Sequence, residues 1–442
     1  MARATEPAAS GPGLQPPVVR PPKPKRKRRL PEGLSSFSVR DYRIYFVVQL
    51  ISLSGLWIQA LAQSWLVLQM TNSPFLLGLV NVVQFAPALV LGLPGGVVAD
   101  RVVKRNLILV TQTTSGILAA ILAFLVASGR VELWHVYLIA LLFGLVDSFD
   151  LPARQAFIAD MVGRDNLQNA VALNSALFNT TRIIGPALAG VLLAAGGTAL
   201  CFALNAISFI PVVIGLALME SRGHPAPGAR RASPRAQLRE GLRFTLATPT
   251  ILLPIVLAGF VATFGMNFSV WVPLLAEREF RAGAAGFGWM MSALGVGSLT
   301  GALSLAFFRR ANKRTMVIAA ACFGVAEVLL ALVASSSLPV AVSLPIMSAI
   351  GFFMTNTMTT ANTVVQTNSP DDLRGRVMSI YTTVFAGTAP VGSAIAGTLS
   401  AVAGAAFAVG AGGVLVILAA LAIAARGDAL VASRAVPREG AP

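Results

Sequence analysis

Apolar runs of about 20 residues, each long enough to cross a hydrocarbon core of ~30 Å, follow one another along the chain with brief polar breaks between them. The pattern predicts twelve membrane-spanning helices, at approximately 44–68, 75–99, 107–127, 133–156, 168–195, 198–219, 251–275, 284–308, 315–335, 338–366, 374–401 and 403–425. Asn, Thr and Gly dilute the fifth and eleventh most. A Pro-rich first ~35 residues, ending in the basic run Lys23 to Arg29, is too polar to bury a core. It has no apolar stretch of signal-peptide type. A second polar stretch, 220–250, separates six spans from six. The expected organisation is a disordered basic tail (1–36), a six-helix bundle (37–219), a linker (220–250), a second six-helix bundle (251–425) and a short tail (426–442).

Composition changes the picture by excluding soluble architectures. Only 12% of the 442 residues are charged, about half the usual ~25%, and the mean hydropathy is +0.74. Two cysteines, Cys201 and Cys322, and two histidines, His135 and His224, leave neither a disulfide framework nor metal-ligand spacing. No cofactor or metal is implied. The net charge of +16 invites a nucleic-acid reading, but its distribution argues otherwise. Thirty of the 34 Lys/Arg fall on the side that carries both termini; the other side has Arg130, Arg278 and Arg281, and Arg182 lies within a span. That asymmetry places both termini in the cytoplasm. The Lys23–Arg29 run is then a topology anchor or a contact for anionic lipid.

The halves repeat at about 207 residues. Gln155, Leu167-Gln168-Asn169-Ala170 and Ile184-Gly185-Pro186 are echoed by Gln366, Leu373-Arg374-Gly375-Arg376 and Thr388-Ala389-Pro390. Asp100-Arg101-Val102-Val103-Lys104-Arg105 is echoed by Arg309-Arg310-Ala311-Asn312-Lys313-Arg314. Parallel repeats of this kind enclose a binding site near the midplane.

The loop between spans 2 and 3, Gly96-Val97-Val98-Ala99-Asp100-Arg101-Val102-Val103-Lys104-Arg105, packs a carboxylate and three cations into one turn. Here the chain resembles the major facilitator superfamily, whose signature in this loop is Gly-x-x-x-Asp-Arg-x-x-basic-basic; Val103 stands where a glycine is usual. The resemblance covers about 37–425 and implies an all-α integral membrane protein, with twelve helices in two pseudo-symmetric six-helix bundles. It implies a conformational switch built from Gly96, Asp100, Arg101, Lys104 and Arg105, with Arg154, Arg374 and Arg376 nearby. Asp100 would latch the halves by meeting the start of the eleventh helix near Arg374, where a helix N-terminus stabilises negative charge. The bland alternative is a plain positive-inside turn.

Ionisable groups inside spans are costly and by default functional. Asp147, Asp150 and Arg154 share one face of the fourth span. Asp150 and Arg154 read equally well as an i, i+4 ion pair near the interface. Asp147 lies 14 residues from the outer end of its span, about 21 Å, and Arg182 falls at similar depth in the fifth. Asp147, Asp150 and Arg182 are therefore the candidate proton-coupling groups, with an Asp147–Arg182 pair expected. Glu327, near the middle of the ninth span, reads as a protonated carboxyl on a helix seam, with a transport role as the alternative. Gly185-Pro186-Ala187-Leu188-Ala189-Gly190 resembles the Gly-Pro motif of the antiporter branch, which favours export and makes Gly185, Pro186 and Gly190 a helix-packing motif. The arginine that branch often carries before Gly144 is Ala140 here. Phe149 to Ala156, Phe202 to Phe209 and Leu373 to Val377 resemble the enterobactin-exporter-like, transmembrane secretion effector subgroup.

In that superfamily the first, fourth, seventh and tenth helices line the pathway. The resemblance thus nominates Gln59, Gln63, Phe264, Asn267, Trp271, Met354, Asn356 and Thr360 as substrate contacts, a mixture suited to an amphipathic organic ligand. The function expected is proton-driven export of a small amphipathic molecule, a drug or siderophore, across the cytoplasmic membrane. Partners are the small-molecule substrate, protons and membrane lipid, without nucleic acid, and the chain is expected to be a monomer. Uptake or facilitated diffusion of a metabolite, and a transport-inactive sensor with the same fold, are the alternatives. No P-loop, zinc-protease or nucleophile-elbow pattern points to an enzyme.

Overall fold

The computed structural model describes residues 32–223, 234–307, 312–370 and 373–434, apart from a few side chains within them. The basic run Lys23–Arg29, the greater part of the expected N-terminal tail and residues 309–311 of the second echo lie outside the described residues. Within them every regular element is a helix: α1 (Arg40–Thr71), α2 (Pro74–Arg101), α3 (Lys104–Ala127), α4 (Leu133–Leu218), α5 (Pro234–Ala247), α6 (Pro249–Phe260), α7 (Phe268–Leu274), α8 (Gly283–Phe307), α9 (Lys313–Ala334), α10 (Val340–Asn368), α11 (Arg374–Ala403) and α12 (Ala405–Arg434).

Local chemistry sets the breaks. Asn72 turns left-handed at φ 46° to end α1. Ser73 then caps α2, its hydroxyl accepting from the Leu76 N–H at 3.4 Å, and Pro74 follows at the first position, where no N–H is needed. Gly163 (φ 71°) and Gly197 (φ 67°) divide α4 into three limbs, 133–162, 164–196 and 198–218. Both glycines adopt a conformation that a Cβ would strain.

Among the described residues, ten stretches are long and apolar enough to cross a membrane, where twelve spans are expected. The limbs on either side of Gly197 count as one run, 184–218. Gly283–Phe307, rich in Gly and Ser, does not count. The seventh span also departs from expectation. It is divided, because a π turn over Val261–Gly265 inserts an extra residue per turn between α6 and α7. Asn267 ends that break and donates from Nδ2 to the Thr263 carbonyl at 2.7 Å.

Glycines then set how closely helices cross. A Cβ on Gly144 of the first α4 limb would sit 2.0 Å from the Gln84 carbonyl of α2. One on Gly351 of α10 would sit 2.0 Å from the Leu294 carbonyl of α8. Gly351 follows Gly144 by 207 residues, so the same crossing is built in each half.

The halves meet closely at the face away from the starts of α1 and α6, called distal below. Gly190 touches Gly288, and a Cβ on the latter would lie 2.2 Å from the Gly190 Cα. Gly78 of α2 lies against Ser393 and Gly397 of α11. Trp65 stacks on Phe287 at 5.8 Å, and Arg278 donates to the Asn72 backbone and side-chain oxygens at 2.5 and 2.8 Å.

Candidate functional site

The charged cluster sits on the first limb of α4. Asp150 is 4% exposed and fully engaged. Its carboxylate accepts from the Thr111 hydroxyl at 2.5 Å and from Gln112 Nε2 at 3.1 Å, both on α3, and pairs with Arg154 one turn on. Asp147, one turn earlier, is exposed, although Gly144 and Ser148 beside it are buried. One helix thus holds two carboxylates in different conditions, the first open and the second locked. Arg182 belongs to the helical second limb, but its side chain lies outside the described residues, and so does the expected pair with Asp147. Thr111 and Gln112 were missed at the sequence level. Their signal is a polar step, Thr111-Gln112 with Ser115, in an otherwise apolar span.

The Gly-Pro stretch divides its work. Gly185 packs within its half, where a Cβ would fall 2.4 Å from that of Trp57, whereas Gly190 makes the contact with Gly288 across the halves. Pro186 is buried between them.

Around the span 2–3 loop, Gly96 faces open space; the close approach belongs to Gly95, whose Cβ would lie 2.1 Å from the Ser148 carbonyl. Asp100 is half-buried and Arg101 exposed. Lys104 is 3% exposed and pairs with Asp160 at the end of the first α4 limb at 2.8 Å. The Lys104 N–H donates to the Gly223 carbonyl at 3.1 Å, and the Arg105 guanidinium to that of Met219 at 2.7 Å. Asp160 and Gly223 carry no motif and were not foreseen. The arginines at the start of α11 tie it to α10 and α5. Arg374 donates to the Gln366 and Ser369 carbonyls that end α10, at 3.1 and 3.4 Å, and Arg376 pairs with Glu240 of α5 at 2.6 Å.

A cavity of ≈ 180 Å³ lies between the halves, walled by Trp57, Leu61 and Ser64 of α1, Met266 and Phe268 at the α6–α7 break, Phe287 and Met291 of α8, and Met354 of α10. Among the described residues, no charged one lines it. Of the eight nominated contacts, Met354 reaches this space. The amides satisfy one another first, as polar groups between membrane helices do. Gln59 accepts from Asn205 and Gln63 donates to Gln84. Asn356 donates to the Gly301 and Phe352 carbonyls, and Thr360 is fully buried. Phe264, Asn267 and Trp271 border a separate space of ≈ 10 Å³ against α11 and α12. Phe287 and Met291 were not foreseen, because α8 is outside the four helices that the resemblance nominates, and Met266 is a cavity residue of the seventh span beside the nominated Asn267.

A family model described as transmembrane secretion effector matches residues 32–433. The multidrug efflux pump Tap of Mycolicibacterium fortuitum is 28% identical over 365 residues, 79% of this chain and 87% of the pump. The enterobactin exporter EntS of Shigella boydii serotype 4 (strain Sb227) is 28% identical over 363 residues, 81% and 85% of the two chains. Among solved structures, a POT family transporter in complex with a thioalcohol-conjugated peptide superposes with a TM-score of 0.71 at 12% identity, covering 88% of this chain and 96% of that one. A bacterial homologue of the iron transporter ferroportin, in an inward-facing state, gives 0.65 at 15% identity, with 87% and 98% covered.

Proposed function

The chain belongs to the transmembrane secretion effector family of membrane transporters, and from that premise we propose that it exports a small amphipathic molecule, a drug or siderophore, in exchange for protons. It does so by alternating access in the cytoplasmic membrane, with both termini in the cytoplasm. The observation that carries the reading is the cavity between the halves. Small residues close its distal side at Gly190–Gly288 and Gly78–Gly397. With the positive-inside bias putting the distal face outward, this arrangement is the inward-facing state, ready to load from the cytoplasm. Two relatives named for efflux and export support the direction.

The apolar, Met- and aromatic-rich wall supplies affinity without tight shape demands. Asp147, exposed on a pathway helix, is the group best placed to take and release a proton, while Asp150 is held by three partners. Arg182, Asp100 and the basic loop complete the coupling and switching parts as proposals. Reconstituted vesicles with an imposed pH gradient, assayed with dyes and catecholate siderophores, should show accumulation against the substrate gradient that collapses with a protonophore. Equilibration indifferent to the pH gradient would overturn proton exchange, and flux in the opposite sense would overturn export.

A further inference from the structure

Glu327 of α9 is fully buried, and among the described residues neither of its carboxyl oxygens has a hydrogen-bond partner. Two glycines from different helices make the room it occupies. A Cβ on Gly413 of α12 would lie 3.0 Å from the Glu327 Cβ, and one on Gly265, the last residue of the π turn between α6 and α7, would lie 3.3 Å from Oε1. Phe323 closes the same seam, 2.3 Å from that second position. The helices that pack on α9 offer no counter-charge: 249–276, 340–368 and 405–425 contain no titratable side chain. On α9 itself the nearest cations are Lys313 and Arg314, 13 or more residues away, roughly 20 Å along the helix. A carboxylate in such surroundings is held as the neutral acid.

We propose that Glu327 is a proton-binding site of the second half that controls whether the π turn of the seventh span can pack against α9 and α12: the neutral acid fits between Gly265 and Gly413, and the ionised group does not. The consequence reaches the cavity, because Met266 and Phe268, which wall it, directly follow that turn. Ionising Glu327 therefore loosens one wall of the cavity without any change on the first half. This site is distinct from the α4 cluster and does not depend on which substrate is carried.

The test is amide hydrogen exchange of the full chain in lipid nanodiscs without substrate, read over 261–271 between about pH 6 and pH 9 and corrected for the intrinsic base-catalysed rate. In the wild type, protection of this segment should fall by roughly tenfold or more as pH rises, while α3 stays constant. Glu327→Gln, isosteric with the neutral acid, should abolish the fall and keep protection within about twofold at every pH. Should that variant not accumulate in the membrane, Glu327→Met, of similar volume, takes its place with the same expected result. A wild-type segment whose protection ignores pH, or a variant that keeps the wild-type fall, overturns the proposal. Absence of transport in vesicles would count against the exporter reading and leave this result standing.

Discussion

Three residues on one helix separate a carboxylate that is exposed from one that is not, and the difference predicts opposite phenotypes. Asp150 compensates the charge of Arg154 and accepts from Thr111 and Gln112. Asp150→Ala strands a guanidinium beside two unsatisfied donors, a loss of about 3–5 kcal/mol for a broken buried pair. It should appear as a clear drop in the detergent-solubilised unfolding temperature. Asp147→Asn breaks none of the contacts that hold Asp150 and should cost less stability than Asp150→Ala, while abolishing the response of efflux to an imposed pH gradient. If Asp147→Asn destabilised as much as Asp150→Ala, the contrast in their surroundings would carry no functional meaning. Both aspartates stand out in the sequence because charges are rare in an apolar span. Which of them is locked depends on Thr111 and Gln112, some 40 residues earlier on α3, and no local pattern announces that pairing.

Where elements meet, the useful signal lies in the residues with least chemistry. Gly190 and Gly288 bring a limb of α4 onto α8 at backbone contact, and van der Waals packing of this kind drives association of helices in lipid. Gly288→Leu cannot be accommodated there without separating the halves, so the variant should insert and fold yet fail to close its distal face. Labelling by a membrane-impermeant thiol reagent at a cysteine placed at Trp65, behind that contact, should rise several-fold over the same cysteine in the Gly288 background, and efflux should fall to the vector control. Unchanged labelling would show that the glycine contact is not the closure. A second contact makes a different prediction. Lys104 is buried beneath Gly223 and pairs with Asp160, whose side chain stays 40% exposed, so Asp160→Asn weakens the hold on the ammonium and should lower the unfolding temperature by less than Asp150→Ala does. Lys104→Met with Asp160→Asn together should recover part of that loss. The repeat and the Gly-Pro stretch are legible in the sequence because they recur or carry a proline. Gly95 is not told apart from its neighbour Gly96 until the backbone shows which one faces Ser148. Similarly, the division of the seventh span leaves no trace in hydropathy, because a π turn changes hydrogen-bond register and not polarity.

For the whole molecule, helix order and the sidedness of charge follow from apolar run length and Lys/Arg placement, since both answer to the bilayer alone. The state of the bundle does not, because it depends on which pairs of distant helices touch. Among the contacts that hold the halves together at the distal face, Arg278 reaches from the end of the seventh span to the Asn72 turn between α1 and α2, and Trp65 stacks on Phe287. If the halves rock, these contacts must part once in each cycle. Cysteines at 72 and 278, in a chain whose Cys201 and Cys322 are replaced by Ala, should therefore be joined by a short bis-maleimide in membranes at rest. The joined protein should lose nearly all efflux, whereas a cleavable linker of the same length should restore it on reduction. Excess substrate applied from the distal side, by favouring the open state, should slow the joining in proportion to the population it shifts. Joining that leaves efflux intact would mean the halves never separate at this face, and a rocking mechanism would have to be abandoned for one confined to the other side.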